Sequence, residues 1–213
     1  VTNRQDIADK LQSDQNIPLK MYSLDGSPCD CVIAALDGGI RILEPELMPT
    51  MCISGVNQGP NISVDIMHSG TVSAARESAL YGLPSIAVSL ATYEHSNFEY
   101  SVKGAIEVMQ SCLDFLPKVP LDFLRKNGSK SVIEMSPNLE SIRANFALGN
   151  IFLNLNAPVR WNGDFNTVSL GSRWYRNAIK SHELDDGSMA FEVGAAEIIE
   201  EEIPGTDCFS VNS

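Results

Sequence analysis

From Pro49 onward, apolar and polar positions alternate in blocks that read as strands and helices in turn. Thr-Met-Cys-Ile-Ser-Gly-Val, residues 50–56, is a short apolar run that reaches a glycine, and it predicts a strand. Ser69 and Thr71 precede Val72, Ala75, Ala79 and Leu80 at helical spacing, and Gly82 and Pro84 close the run, so a capped helix is predicted there. Ser85 to Leu90 is rich in β-branched residues and predicts a second strand. Asn97 to Leu116 predicts a helix with Phe98, Val102, Ile106, Met109 and Leu113 on one face. Strand, helix, strand, helix in that order implies parallel pairing through right-handed crossovers. Upstream, Ser27 and Pro28 stand where a helix cap and first helical residue belong. Downstream, Gly149 to Pro158 predicts an apolar strand buried on both faces. A strand at Asn166 to Leu170 then leads into a basic-aromatic turn, and Gly187 to Gly194 predicts a peripheral antiparallel strand. Lys118 to Ser136 carries mixed signals and yields no element. The pattern is an open, mostly parallel α/β sheet flanked by helices. The expected division is a core over 1–158 and a less regular C-terminal extension with peripheral strands over 159–213.

Composition narrows the setting. With 213 residues the chain fits one α/β domain or two very small ones. The net charge of −12, from 15 basic and 27 acidic residues, argues against a surface for a nucleic-acid polymer and for a soluble cytoplasmic protein. Glu197, Glu200, Glu201 and Glu202 form the densest acidic run, expected on a solvated loop or helix end rather than a metal site. No apolar run approaches the roughly 18 residues that a membrane helix needs. The first residues have no apolar signal core and no initiator methionine, which is the pattern of a fragment or a processed chain. Five cysteines, at 29, 31, 52, 112 and 208, are odd in number and irregularly spaced. They are expected as reduced, buried thiols, because Cys29 and Cys31 have no second pair with which to hold zinc.

The chemistry concentrates between Ile53 and Ala75. In open α/β sheets, ligands bind beyond the carboxyl ends of strands, where loops enter helices. A loop of this kind would present N–H groups at Gly70, Thr71 and Val72 to an anion, helped by the helix dipole and the hydroxyls of Ser69 and Thr71. Asn57 and Asn61 offer neutral carbonyl oxygens that suit a hard cation. Gly55 and Gly59 let backbone approach a ligand. An ordered Asx-turn loop before a capped helix explains the Ser-Gly-Thr alone, but a long loop in a compact domain is usually functional. These features point to an anion with a metal and leave the reaction open. His68 is a candidate for proton transfer, whereas His95 and His182 read as surface residues. G-x-S-x-G, Walker and G-x-G-x-x-G motifs are absent, which removes the usual serine hydrolase, P-loop and dinucleotide readings.

The same residues carry a family resemblance. Ser54 to Ser89, "SGVNQGPNISVDIMHSGTVSAARESALYGLPSIAVS", resembles the signature of the survival protein SurE family. "DGSPCDCV" at Asp25 to Val32, "FLNLNAP", "GSRWYRN" and "PGTDCFSVNS" are similar to further family segments, in order. The resemblance implies a Rossmann-like fold and a phosphatase acting on nucleoside 5′- and 3′-monophosphates with a divalent cation, Mg²⁺ or Mn²⁺. It places Asn57 at a metal-ligand position and Asn61, Ser69, Gly70 and Thr71 at the substrate phosphate. It also implies homodimers or homotetramers that exchange C-terminal elements. The chain departs from the family in four ways. Val1 to Asn3 looks like the end of the family's opening strand, but Arg4 and Gln5 follow where two aspartates hold the metal. A second loop's serine ligand has no counterpart. The segment before Gly26 is too short for the family's first helix, second strand and hairpin. Ser213 falls before the closing strand. Asp6 and Asp9 read as a solvated first helical turn rather than replacement ligands, and no catalytic residue is assigned. The alternatives are a catalytically inactive phosphate- or nucleotide-binding homologue, and an unrelated Rossmann-like protein whose loop binds a cofactor phosphate.

Overall fold

The computed structural model describes residues 1–12, 18–94, 97–116, 138–194 and 196–212. In chain order its elements are β1 (Thr2–Asn3), α1 (Gln5–Leu11), β2 (Tyr22–Ser23), α2 (Pro28–Ala34), α3 (Ile40–Leu43), β3 (Cys52–Gln58), α4 (Asp65–His68), α5 (Gly70–Leu80) and β4 (Ser85–Leu90). Then follow α6 (Glu99–Cys112), α7 (Leu139–Ala147), β5 (Leu153–Ala157), β6 (Ser172–Arg176), β7 (Ile179–Glu183), β8 (Met189–Val193), β9 (Glu197–Glu201) and α8 (Asp207–Asn212). The fold is the expected α/β class, built on a sheet in the order β3-β4-β5. β4 and β5 pair parallel, with Ile86 beside Leu153 and Leu90 beside Ala157. β3 runs the same way, because Cys52 N–H donates to Pro84 C=O at one end and Gly59 N–H to Leu90 C=O at the other. β4 has every residue buried, so an apolar Ile-Ala-Val stretch sits at the centre of the sheet.

The chain divides into two compact units. The first comprises Val1–Ser54, Ala74–Ser85 and Phe115–Phe152. Its apolar cluster joins Leu36 and Leu83 with Val32, Ile40 and Tyr81. Ser27 caps α2 as anticipated: its Oγ accepts from Asp30 N–H, and the Asp30 carboxylate accepts from Ser27 N–H. α5 stops at Gly82, whose φ of +92° an L side chain rarely adopts. Asp6 and Asp9 are exposed on α1, in line with a solvated first turn.

The second unit comprises Gly55–Ser73, Ile86–Asp114 and Leu153–Ser213. Its buried apolar residues include Ile62, Val72, Ile86, Val88 and Leu90. Two antiparallel ribbons follow the sheet, β6 with β9 and β7 with β8.

Six expectations need correction. β5 is not buried on both faces, since Asn154 is exposed and only Ala157 is fully buried. β3 continues through Gly55 to Gln58, so Asn57 lies on a strand and the loop is shorter than the glycines suggested. Gly55 is there because a Cβ would strike the carbonyl of Val88 on the neighbouring strand. α6 buries its small residues, Ser101, Gly104, Ala105 and Cys112, while Val102, Ile106 and Leu113 of the predicted face are exposed. A Cβ on Gly104 would meet Leu155 at 3.6 Å, an ordinary contact distance, so the small-residue face is the one that lies against β5. The strand expected at Asn166 to Leu170 lies instead at Ser172–Arg176, and Ser169 makes only an isolated bridge to Thr206. The acidic run is largely strand β9 rather than a loop or helix end. The five cysteines are free, but Cys31 is exposed and only Cys112 and Cys208 are buried. His95 and the segment Lys118 to Ser136 lie outside the described residues.

Candidate functional site: the loop between strand and helix

Two residues beyond Asn57 the chain leaves the sheet at Gly59, whose φ is +107° and whose missing Cβ makes room for the Tyr93 ring. Asn57 turns its Nδ2 onto Gly59 C=O at 2.9 Å. Asn61 is 5% exposed and held from several sides. Its N–H donates to Asn156 Oδ1 at 2.8 Å, and its C=O accepts from Asn154 Nδ2 and Asn156 Nδ2 at 2.8 and 3.0 Å. Its own Nδ2 donates to Ser89 Oγ at 2.7 Å. Sequence reasoning missed Asn154, Asn156 and Ser89 as supports. The signal was present in "LNLNA": asparagines two apart on a strand face the same way, and a polar face on a core strand needs partners.

α4 leads directly to the helix entrance. Ser69 N–H donates to Asp65 C=O at 2.8 Å, and Ser69 Oγ accepts from Val72 N–H at 3.1 Å. Ser69 therefore caps α5, and the Val72 N–H counted among the anion donors is spent on that cap. Gly70 and Thr71 keep first-turn N–H groups with no intrahelical acceptor, and the Ser69 hydroxyl still has its own proton to give. His68 is exposed at the end of α4, and His182 Nε2 lies 3.4 Å from Glu192 Oε2 on an exposed ribbon face.

A buried ionic cluster grips the same loop. Arg173 Nη1 donates to Asp65 Oδ2 at 2.6 Å, Tyr175 O–H donates to Asp65 Oδ1, and Arg173 Nε and Nη2 both reach Glu200 Oε1. Burial alone would weaken Arg173's hold on its proton, but the bonds to Asp65 and Glu200 outweigh it and raise its pKa. Burial first, then the hydrogen bond to Asp65, pushes the Tyr175 hydroxyl up to about 12. Nearby, Asp207 Oδ2 accepts from Ser63 N–H at 2.8 Å and Asp207 Oδ1 from Gly171 N–H at 2.6 Å.

A divalent cation held by protein oxygens is normally anchored by one or two carboxylates. Asn57 brings one amide oxygen, its nitrogen being committed to Gly59. Among the described residues no group of three or more His, Cys, Asp or Glu side chains could hold a metal ion. The described residues do not by themselves fit a divalent cation. A cavity of about 410 Å³ opens along β5 beside Asn154, Asn156, Trp161 and Phe165. None of Asn57, Asn61, Ser69, Gly70 and Thr71 lines it.

The family model described as survival protein SurE matches residues 2–180. The chain belongs to the SurE family. Among its relatives, the 5′-nucleotidase SurE of Fervidobacterium nodosum is 43% identical over 97 residues, 46% of this chain and 37% of that protein. The 5′-nucleotidase SurE of Anaeromyxobacter dehalogenans is 28% identical over 193 residues, 90% of this chain and 63% of that protein. The crystal structure of the SurE protein from Aquifex aeolicus superposes with a TM-score of 0.54 at 26% identity, covering 93% of this chain and 71% of that one. The aligned part of the chain thus spans less than two thirds of the length of these two nucleotidases. This SurE chain has no helix, among the described residues, long and apolar enough to cross a membrane.

Proposed function

We propose that the chain binds the phosphate of a nucleoside monophosphate where the loop after β3 enters α5, and that it hydrolyses nucleoside 5′- and 3′-monophosphates as a SurE-type phosphomonoesterase. The observation that carries the reading is the loop's preorganisation. Asn61 is bonded on its N–H, C=O and side chain by Asn154, Asn156 and Ser89, and the loop ends on a capped helix N-terminus. In this reading the N–H groups of Gly70 and Thr71 and the hydroxyls of Ser69 and Thr71 donate to the phosphoryl oxygens. The second hydrogen of the Asn61 amide completes the donor set. These donors stabilise charge on the phosphoryl group while water adds and the nucleoside oxygen leaves. Because the loop is already ordered by β4 and β5, little ordering is left for the substrate to induce. The relatives' name, 5′-nucleotidase, supports the substrate class. Asn57 is assigned to a divalent cation, Mg²⁺ or Mn²⁺, that needs carboxylates beyond the group described here.

We also infer a homodimer or homotetramer. Ile179, Met189, Phe191 and Val193 share one face of the β7–β8 ribbon and are all exposed. Free cysteines throughout suit a reducing compartment and support a cytoplasmic setting.

The test is hydrolysis of adenosine 5′-monophosphate, adenosine 3′-monophosphate and p-nitrophenyl phosphate, with and without Mn²⁺ or Mg²⁺, by the wild type and Asn57→Ala. The reading expects cation-dependent turnover that falls at least about tenfold in the variant. Equal turnover in both would remove Asn57 from the site. Nucleotide binding without turnover under any cation would make the chain a binding homologue.

A further inference from the structure

We propose that Arg173 is a positioning residue of the phosphate-binding loop: it does not touch the ligand but locks Asp65, and through Asp65 the entrance to α5. The proposal rests on the phosphate reading of that entrance given above.

Arg173 and Tyr175 occupy alternate positions on β6, and Glu200 stands directly opposite Arg173 on β9, so the three side chains share one face of the ribbon. That face meets Asp65, the first residue of α4. Both carboxylate oxygens of Asp65 are taken, one by Arg173 and one by Tyr175. The backbone C=O of the same residue receives Ser69 N–H, and Ser69 in turn caps α5. A chain of direct contacts therefore runs from Arg173 to Asp65 to Ser69 to the first turn that carries Gly70 and Thr71.

The ribbon secures the same loop a second time. Arg173 N–H donates to Ser63 Oγ at 2.9 Å, and Ser63 Oγ donates to Gly171 C=O at 2.9 Å. Ser63 needs such support, because its φ of +49° is left-handed for a residue with a side chain. Both anchors fall between Asn61 and Ser69, the two ends of the assigned phosphate loop.

Charge makes the arrangement more than a brace. Arg173 is 5% exposed and faces two carboxylates. Without its guanidinium, Asp65 loses the cation that faces it and remains a buried anion. Asp65 would be released toward solvent, dragging Ser69, or would stay and repel an incoming phosphate. Either outcome weakens the ligand.

The experiment compares wild type, Arg173→Met, Asp65→Asn and Tyr175→Phe for affinity toward inorganic phosphate and adenosine 5′-monophosphate by calorimetry, below each variant's melting temperature. Hydrogen exchange of the Ser69 to Val72 amides is read in parallel. Positioning predicts dissociation constants raised about tenfold or more in Arg173→Met and two- to fivefold in Tyr175→Phe, with faster exchange at those amides. A purely structural role predicts lower melting temperatures with unchanged affinity and exchange, and that result overturns the proposal. Tyr175→Phe removes only a hydroxyl from a ring that is 39% exposed, so it folds and decides the matter should Arg173→Met not fold. Failure of the wild type to bind either ligand would overturn the phosphate reading itself and this proposal with it, a result distinct from equal binding by all four proteins.

Discussion

Two antiparallel ribbons, one nested within the other along the chain, have opposite fates. β6 and β9 pair Ser172–Arg176 with Glu197–Glu201, and β7 and β8 between them pair Ile179–Glu183 with Met189–Val193. The inner ribbon puts Ile179, Met189, Phe191 and Val193 on one face, and that face is open to solvent, with Val193 79% exposed. The outer ribbon puts an arginine, a tyrosine and a glutamate on one face, and that face is where Arg173 is nearly fully buried. The apolar face is exposed, whereas on the charged one Arg173 is closed off and Tyr175 stays partly open. Hydrophobicity alone would assign them the other way round. What decides burial is a complementary partner, since Asp65 supplies both the charge and the two acceptors that Arg173 and Tyr175 require.

The strongest way to break the comparison is at Arg173. Arg173→Met should destabilise the protein by about 3–5 kcal/mol, because it takes the facing cation from the buried Asp65 carboxylate, and urea unfolding monitored by circular dichroism would read it. A loss within the range of an ordinary surface substitution would show that the cluster is an exposed ornament.

Alkaline pH probes the same ribbon, and α8 that follows it, more gently. Burial, then the charges of Asp207 and Glu200, push the Cys208 thiol up to about 11 from 9.0. The Tyr175 hydroxyl rises to about 12 from 10.0. Both folded values lie above the unfolded ones, so their contribution is complete below the unfolded values and is lost as pH rises from 9.0 to about 11 for Cys208 and from 10.0 to about 12 for Tyr175. The urea midpoint should fall across that window, and Tyr175→Phe should flatten the upper part of the fall. An unchanged profile in that variant would detach Tyr175 from the network.

The inner ribbon is expected to respond least. Phe191→Ser and Ile179→Thr should leave stability within about 0.5 kcal/mol, as surface changes usually do. Light scattering after gel filtration should nevertheless show a shift toward monomer if the apolar face is buried between copies. An identical mass for wild type and variants would place the assembly surface elsewhere.

The legible parts of this fold were those coded by neighbours in sequence. The cap at Ser27, the cap at Ser69 and the strand from Ser85 to Leu90 all appear where local pattern puts them. The parts that were not legible depend on distant partners. Arg173 and Asp65 lie 108 residues apart, and Asn61 and Asn156 lie 95 apart, so no local window reveals that they meet. α6 misled for a related reason: its large apolar residues made the clearer stripe, but the face turned to Leu155 carries the small ones. At Gly55 the residue that seemed to end a strand was instead the one that let it pass Val88. The candidate site was therefore legible as a list of loop residues, while the side chains that hold the loop in shape were not.

The central claim is that a phosphate sits on the first turn of α5. The most direct measurement follows backbone amide resonances of ¹⁵N-labelled protein during titration with adenosine 5′-monophosphate, with adenosine as control. The account predicts that Gly70 and Thr71 shift most, that Val72 shifts less because its N–H is already on Ser69, and that adenosine leaves all three in place. Saturable binding of the nucleotide with no movement at Gly70 and Thr71 would contradict it.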